Sequence, residues 1–286
     1  MKILFTGLSG FIGTRILPRI ERDHEIWSFS RLSNSKIEGI KYIEGDLRNP
    51  RDIYRAIETI KPATIVLMGA ISSLYEAEKD SLQTHLVNTS SVEHIIRSAK
   101  IQMPNNLPRI IFFSTDLVYD GYKVENPYGY KETDPPHPKS KYARSKLEAE
   151  HLLSFYKNSL SSRIALTYGP PETDMRGYVA SLVKAIENNH TINLFQDEWR
   201  TPIHVDGIAS ALTKLINLKN LPPLIHLSGT ERLSRVELGY KLINQIQAGY
   251  TNIDIKLRQD SPAGKIRGMD CSLDNQLLQS KLVLKN

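Results

Sequence analysis

The chain has 286 residues, 40% of them hydrophobic and 24% charged, with a formal net charge of +6, which is the balance of a packed globular chain and excludes wholesale disorder. Its 16 glycines and 15 prolines follow no three-residue period, so collagen-like and low-complexity readings fail. The lone Cys271 excludes an intrachain disulfide and a thiolate zinc cluster and points to the cytoplasm. The longest charge-free apolar stretch, between Lys61 and Glu76, falls short of the roughly 20 residues a bilayer span needs, so no membrane partner is expected. Lys and Arg are scattered except at Lys139, Lys141, Arg144 and Lys146, which gives no reason to expect nucleic acid. No compact His/Asp/Glu ligand cluster stands out, so no metal-binding residue is assigned.

The apolar N-terminus is interrupted by Gly7, Ser9, Gly10 and Gly13 and reads as structure, not as a signal peptide. Short Ile/Val/Leu/Phe-rich runs at 2–6, 25–29, 40–43, 64–68 and 110–114 predict strands. Helical periodicity covers 11–20, 50–60, 81–100 and 140–157, with Ile53, Ala56, Ile57 and Ile60 on one face. Strands of this kind alternating with helices predict a doubly wound parallel sheet covered on both sides. Beyond about residue 166, helices at 177–187, 206–218 and 235–247 and a strand at 224–227 predict a smaller α/β lobe. The expected division is 1–166 for nucleotide binding and 167–286 for substrate, with chain segments crossing back. The Tyr-, Gly- and Pro-rich segment 116–138 reads as a functional loop.

Strand, glycine turn and helix follow one another at the N-terminus: Lys2 to Thr6, then Gly7-Leu8-Ser9-Gly10-Phe11-Ile12-Gly13. Gly7 allows a tight turn, Gly10 lets backbone amides reach a pyrophosphate, and Gly13 lets the helix pack closely on the sheet. Free N–H groups and the helix dipole favour a phosphate there. At the tip of the second strand, where a carboxylate would accept from a free ribose 2′-hydroxyl, the chain offers Ser30 and Arg31. A guanidinium suits a 2′-phosphate, so NADP(H) is favoured over NAD(H); the alternative is a solvated surface charge. Asp46, followed by Leu47, is placed to accept from the adenine amino group or, alternatively, to cap the helix near Pro50.

Tyr142 and Lys146 are four residues apart at the start of a predicted helix and share a face. A tyrosine hydroxyl titrates near ~10, and a neighbouring ammonium lowers it toward a value useful for proton transfer. Thr115, in Ser114-Thr115-Asp116, is placed to hydrogen-bond a substrate carbonyl oxygen. His204 and Cys271 read as structural.

These residues together resemble the extended short-chain dehydrogenase/reductase family over essentially the whole chain: Gly7, Gly10 and Gly13, Met68-Gly69-Ala70, Ser114-Thr115-Asp116, and Tyr142 with Lys146. Within it the chain is most similar to the dTDP-4-dehydrorhamnose reductase branch, through 114–121, Arg200-Thr201-Pro202-Ile203-His204-Val205-Asp206 and the stretch from Arg267 to Asp274. The resemblance implies a Rossmann-type fold and a cofactor site of Gly7, Ser9, Gly10, Phe11, Ile12, Gly13, Ser30, Arg31, Asp46, Leu47, Met68, Gly69, Ala70, Tyr142 and Lys146. It implies a Thr115/Tyr142/Lys146 catalytic set, a nucleotide-sugar substrate with Thr115 at its carbonyl, and a possible homodimer. Arg200 would clamp the substrate phosphates, or else pair with Asp197 or Glu198. Ala143, Arg144 and Gly268-Met269 depart from the branch's pattern. Leu117, where dehydratases of the family carry Glu, disfavours dehydration. The expected activity is NADPH-dependent reduction of a nucleotide-linked 4-keto-6-deoxysugar. The alternatives are a nucleotide-sugar epimerase and a non-catalytic NADP-binding regulatory subunit like the methionine adenosyltransferase beta subunit.

Overall fold

A computed structural model describes residues 1–20, 23–31, 39–122, 129–170 and 177–282. Strands β1 (Lys2–Thr6), β2 (Glu25–Ser30), β3 (Lys41–Glu44), β4 (Thr64–Leu67), β5 (Arg109–Thr115) and β6 (Ser159–Ile164) join the strand Leu224–Leu227 in one seven-stranded sheet. Starting from that last strand, the order is β6, β5, β4, β1, β2, β3. This is the expected α/β architecture. β1 pairs in parallel with both β2 and β4, which places the reversal of strand order between β1 and β4. Thr6 pairs with Phe29 and Leu67, Leu67 with Phe112, and Ser30 with Glu44. The carboxyl ends of five strands therefore line up, and a doubly wound sheet binds ligands at that edge, at the reversal point.

Helix α1 (Phe11–Ile20) follows β1 directly. Helix α2 (Pro50–Ile60) starts on Asn49, whose side chain accepts from the Arg51 amide, with Pro50 in the first turn where its missing N–H is harmless. It ends on Lys61 in the left-handed conformation, and its Ile53, Ala56, Ile57 and Ile60 are buried as their spacing predicts. Each of the three isoleucines contributes about 2 kcal/mol by leaving water.

The helix expected over 81–100 is broken. After a short α3 (Leu74–Lys79) come α4 (Ser81–His85), a wide π turn at Leu86–Ser90 and α5 (Ser91–Gln102). The break has a polar cause. Buried Asn88 turns its amide to the loop after β4, accepting from the Ile71 amide at 2.9 Å and donating to the Ile71 carbonyl at 3.0 Å. Ser91 Oγ bonds back to the Val87 carbonyl at 2.6 Å, a competition with the helical ladder that loosens it.

Strand β6 carries no apolar alternation, yet all six of its residues are buried. Two of its polar side chains are bonded internally: Ser159 Oγ donates to the Leu153 and Tyr156 carbonyls, and Arg163 forks onto Glu150. Helix α6 (Lys141–Ser154) opens on Ser140, whose Oγ accepts from the Ala143 amide.

The chain divides into two compact units, each built from three chain segments. The first unit comprises Met1–Thr115, Ser140–Arg163 and Ala209–Ile225; the second comprises Asp116–Lys139, Ile164–Ile208 and His226–Asn286. In the second unit, α7 (Tyr178–Glu187) and α9 (Arg235–Ile246) pack Val179, Leu182, Leu238 and Leu242 around Ile192 and Leu194; between them, α8 (Val205–Asn217) runs from the second unit into the first. The segment read as a loop at 116–138 has a buried start: a 3-10 turn at Asp116–Val118, then Tyr119 stacked on Tyr130 at 4.0 Å. Tyr119 Oη also meets buried His226 Nε2 at 3.0 Å. Residues 123–128 of that segment lie outside the described residues.

Candidate functional site

Gly7 has φ of 75°, a conformation that disfavours side chains, and an added Cβ would lie 2.7 Å from the Gly69 nitrogen. The turn after β1 and the loop after β4 therefore touch backbone to backbone. Gly10 closes the turn, its amide on the Gly7 carbonyl at 3.0 Å. Gly13 acts differently from the expectation that it fits the helix to the sheet. A Cβ there would fall 2.1 Å from the Leu8 carbonyl oxygen, so it fits α1 to its own turn. Ser9 is exposed, Phe11 and Ile12 are half-buried, and the first turn of α1 carries no acidic side chain. Bare backbone at a helix N-terminus, with no room for side chains between two strand ends, fits a pyrophosphate.

Ser30 and exposed Arg31 end β2. Asp46, just beyond β3, is gripped by Arg48, whose Nε lies 3.0 Å from both carboxylate oxygens. This contact holds the Asp46 carboxyl below its ordinary range, with a smaller contribution from Arg31. Asp46 does not cap α2, since Asn49 does. Leu47 reaches Gly69: a Cβ on that glycine would stand 3.2 Å from Leu47 Cδ1. Met68, Gly69 and Ala70 are half-buried beyond β4, and the Gly69 amide donates to Thr6 Oγ1 at 3.1 Å.

On α6, Tyr142 is half-buried and Lys146 is only 3% exposed. Lys146 Nζ donates to the Phe113 carbonyl on β5 at 2.7 Å and lies 4.5 Å above the Phe112 ring. Burial pushes this ammonium down to about 7, against the opposing pull of Glu150. Thr115 is buried two residues further along the same strand, so the strand bearing Thr115 and the helix bearing Tyr142 and Lys146 are pinned together at the amine. Asn88 Nδ2 donates to Ser145 Oγ at 3.0 Å and Thr89 Oγ1 to the Ser145 carbonyl at 2.9 Å, which fixes the first turns of α6 against the π turn.

Arg200 lies in the second unit, 2% exposed. Its Nη1 donates to the Trp199 and Met269 carbonyls, its Nη2 to the Gly268 carbonyl, and the guanidinium pairs with Glu198 at 3.2 Å and Asp116 at 3.4 Å. Three backbone carbonyls and two carboxylates surround the guanidinium, so the geometry matches the alternative of pairing with Glu198.

The surplus cations there are ones the sequence did not mark. Glu198 is shared by Arg200, Arg267 at 3.6 Å and Arg235 at 3.8 Å. Burial pushes its carboxyl up, but the guanidiniums outweigh burial and hold it below its ordinary value. Arg235 stacks 3.6 Å over the Tyr178 ring, and its Nη1 and Tyr178 Oη are buried without a hydrogen-bond partner among the described residues. No short motif announces this cluster, because its members come from 178, 198, 235 and 267. Cys271 is fully buried and burial pushes its thiol up to about 12, the state of a core side chain. Among the described residues no group of His, Cys, Asp and Glu could hold a metal ion, and no helix is long and apolar enough to cross a membrane.

A glycine turn closed against the loop after β4 at the sheet reversal, with a Tyr/Lys helix pinned to β5, defines the extended short-chain dehydrogenase/reductases, a class of NAD(P)-dependent oxidoreductases. Over residues 1–286 the sequence matches the family described as RmlD substrate binding domain, and the chain belongs to that dTDP-4-dehydrorhamnose reductase-like family. It is 27% identical over 215 residues to a dTDP-4-dehydrorhamnose reductase of Aggregatibacter actinomycetemcomitans, covering 75% of this chain and 67% of the relative. It is 24% identical over 298 residues to the methionine adenosyltransferase 2 subunit beta of Bos taurus, covering 98% and 82%. The crystal structure of a hypothetical dTDP-4-dehydrorhamnose reductase from Sulfolobus tokodaii superposes with a TM-score of 0.82 at 27% identity, covering 100% of this chain and 96% of that one. The fold is shared with a dTDP-4-dehydrorhamnose reductase from Bacillus anthracis solved in complex with NADP, with a TM-score of 0.83 at 18% identity over 99% and 93% of the two chains.

Proposed function

We propose that this chain reduces a nucleotide-linked 4-keto-6-deoxysugar with NADPH. The observation that carries this reading is the Lys146 amine, buried, titrating near neutrality and tied to β5 one helical turn from Tyr142. An amine in that state serves no solvated surface role, and it lowers the cost of ionising a phenol on the same helix face.

The cofactor's pyrophosphate is held by the backbone of Gly7 to Gly13 and by Gly69, with Arg31 at the 2′-phosphate and Ser30, Asp46, Leu47, Met68 and Ala70 around the adenosine and nicotinamide halves. When bound, the reduced nicotinamide supplies the hydride. Tyr142 Oη delivers the proton to the keto oxygen, and Lys146 Nζ stabilises the phenolate left behind. Thr115 Oγ1 donates a hydrogen bond to the same oxygen as charge develops on it. Arg235 and Arg267, with charge to spare beyond Glu198, take the substrate's diphosphate in the role first expected of Arg200.

The decisive experiment is NADPH oxidation against a panel of nucleotide 4-ketosugars, with wild type and Tyr142→Phe compared. Turnover in the wild type and its loss by at least about a hundredfold in the variant, at unchanged NADPH affinity, is expected. Equal turnover in the two proteins removes Tyr142 from the mechanism. A non-catalytic regulatory subunit is the second reading, favoured by one observation: relatives named methionine adenosyltransferase 2 subunit beta align with 98% of the chain. Background oxidation across the panel together with NADP-dependent thermal protection would favour it.

A further inference from the structure

Beneath the Tyr142 and Lys146 pair lies a buried charge network that the proposed reaction does not use. Glu150 stands one further turn along α6, so Tyr142, Lys146 and Glu150 recur at four-residue intervals on one helix face. Its carboxylate accepts a short hydrogen bond from Ser114 Oγ on β5. Arg163 on β6 grips it from the other side, with Nη2 at 2.7 Å from Oε2 and Nε at 3.1 Å from Oε1. The Arg163 and Glu150 side chains are 4% and 8% exposed. Lys146 and Glu150 thus tie α6 to consecutive residues of β5, Phe113 and Ser114, immediately before Thr115.

We infer that Glu150 and Arg163 are positioning residues for Lys146: the carboxylate favours the charged amine, and the guanidinium limits how strongly it does so. The inference rests on the proposed catalytic role of Lys146. Geometry makes the influence direct. On β5 the Phe112 ring and the Phe113 carbonyl face the amine, and neither is charged. Among the described residues the titratable groups on its own helix face are Tyr142 and Glu150, and β6 contributes Arg163 through Glu150. A carboxylate on its own at this depth would hold Lys146 protonated; one already gripped by a guanidinium does so only in part. The amine consequently keeps the near-neutral titration that burial gives it, and Glu150 remains the group opposing burial.

The test is direct titration of Lys146 in the full chain by NMR with isotopically labelled lysine, its signal assigned by its absence in Lys146→Arg. Glu150→Gln removes the favourable charge and leaves the Arg163 charge without this carboxylate, so the Lys146 midpoint is expected to fall by about one pH unit. Glu150→Gln with Arg163→Met removes the guanidinium as well, and the midpoint is expected to recover. Ser114→Ala, which buries no new charge and keeps the question open if the first variant fails to fold, frees the carboxylate and is expected to raise the midpoint. A group with a merely structural role would not move the midpoint in opposite directions. Unchanged midpoints, or shifts of one sign in all folded variants, overturn the inference. No turnover is needed for the measurement: shifted midpoints without ketosugar reduction retain the pair and remove the reductase, while fixed midpoints with turnover do the reverse.

Discussion

Replacing Lys146 by Met keeps the length of the side chain and removes the buried amine, so the two proteins differ in stability by an amount that depends on pH. The folded amine titrates near 7 and its ordinary value is 10.5. Below about pH 7 it is protonated whether the chain is folded or not, and the wild type carries the full cost of burying the charge. Between about 7 and 10.5 the unfolded chain holds a proton that the folded chain has released, so wild-type stability rises with pH across that window and flattens above it. One full proton of difference is worth about 1.4 kcal/mol per pH unit. Because the amine is half-titrated at the lower end, the wild type gains about 2 kcal/mol on Lys146→Met between about pH 7 and pH 9. All other titrating groups are common to both proteins and largely cancel in the difference. Urea unfolding of both across that range, read as midpoint at constant slope, measures it. A difference that is flat, or that moves against the wild type as pH rises, would refute the assignment of a buried near-neutral amine.

Two further outcomes follow from the ends of the nucleotide and the substrate. Arg31→Ala is expected to weaken NADPH by about tenfold or more while NADH changes little, because the guanidinium just after β2 is exposed and can fork onto a phosphate; equal losses measured by fluorescence titration would reject the 2′-phosphate role. Arg235→Met is expected to raise KM for a nucleotide ketosugar by about tenfold with kcat nearly unchanged, since the diphosphate is remote from the reacting carbon, and a fall in kcat alone would contradict it.

Several features were legible because short-range rules carry them. α2 needed only Pro50 and the spacing of Ile53, Ala56, Ile57 and Ile60. The N-terminal cradle needed only a strand, a glycine turn and a helix in sequence. β6 was illegible for the opposite reason: Ser159, Ser161, Ser162 and Arg163 leave no apolar run to mark a strand, yet the strand is buried throughout and Arg163 is matched to a Glu150 thirteen positions earlier. The 81–100 helix looked continuous because nothing nearby in the chain shows that Asn88 will be drawn to the Ile71 backbone.

What local sequence determined, then, is the alternation of strands and helices, the glycine turn and the four-residue spacing of Tyr142 and Lys146, since each depends on backbone preference or on neighbours within one turn. Tertiary structure alone decided which charges are spent and which are spare. Arg200 loses its freedom to Glu198, Asp116 and three carbonyls, while Arg235 keeps a nitrogen without a hydrogen-bond partner among the described residues. The titration of Lys146 was decided there as well, because exclusion of water and the distance to a paired carboxylate exist only once α6, β5 and β6 have packed together.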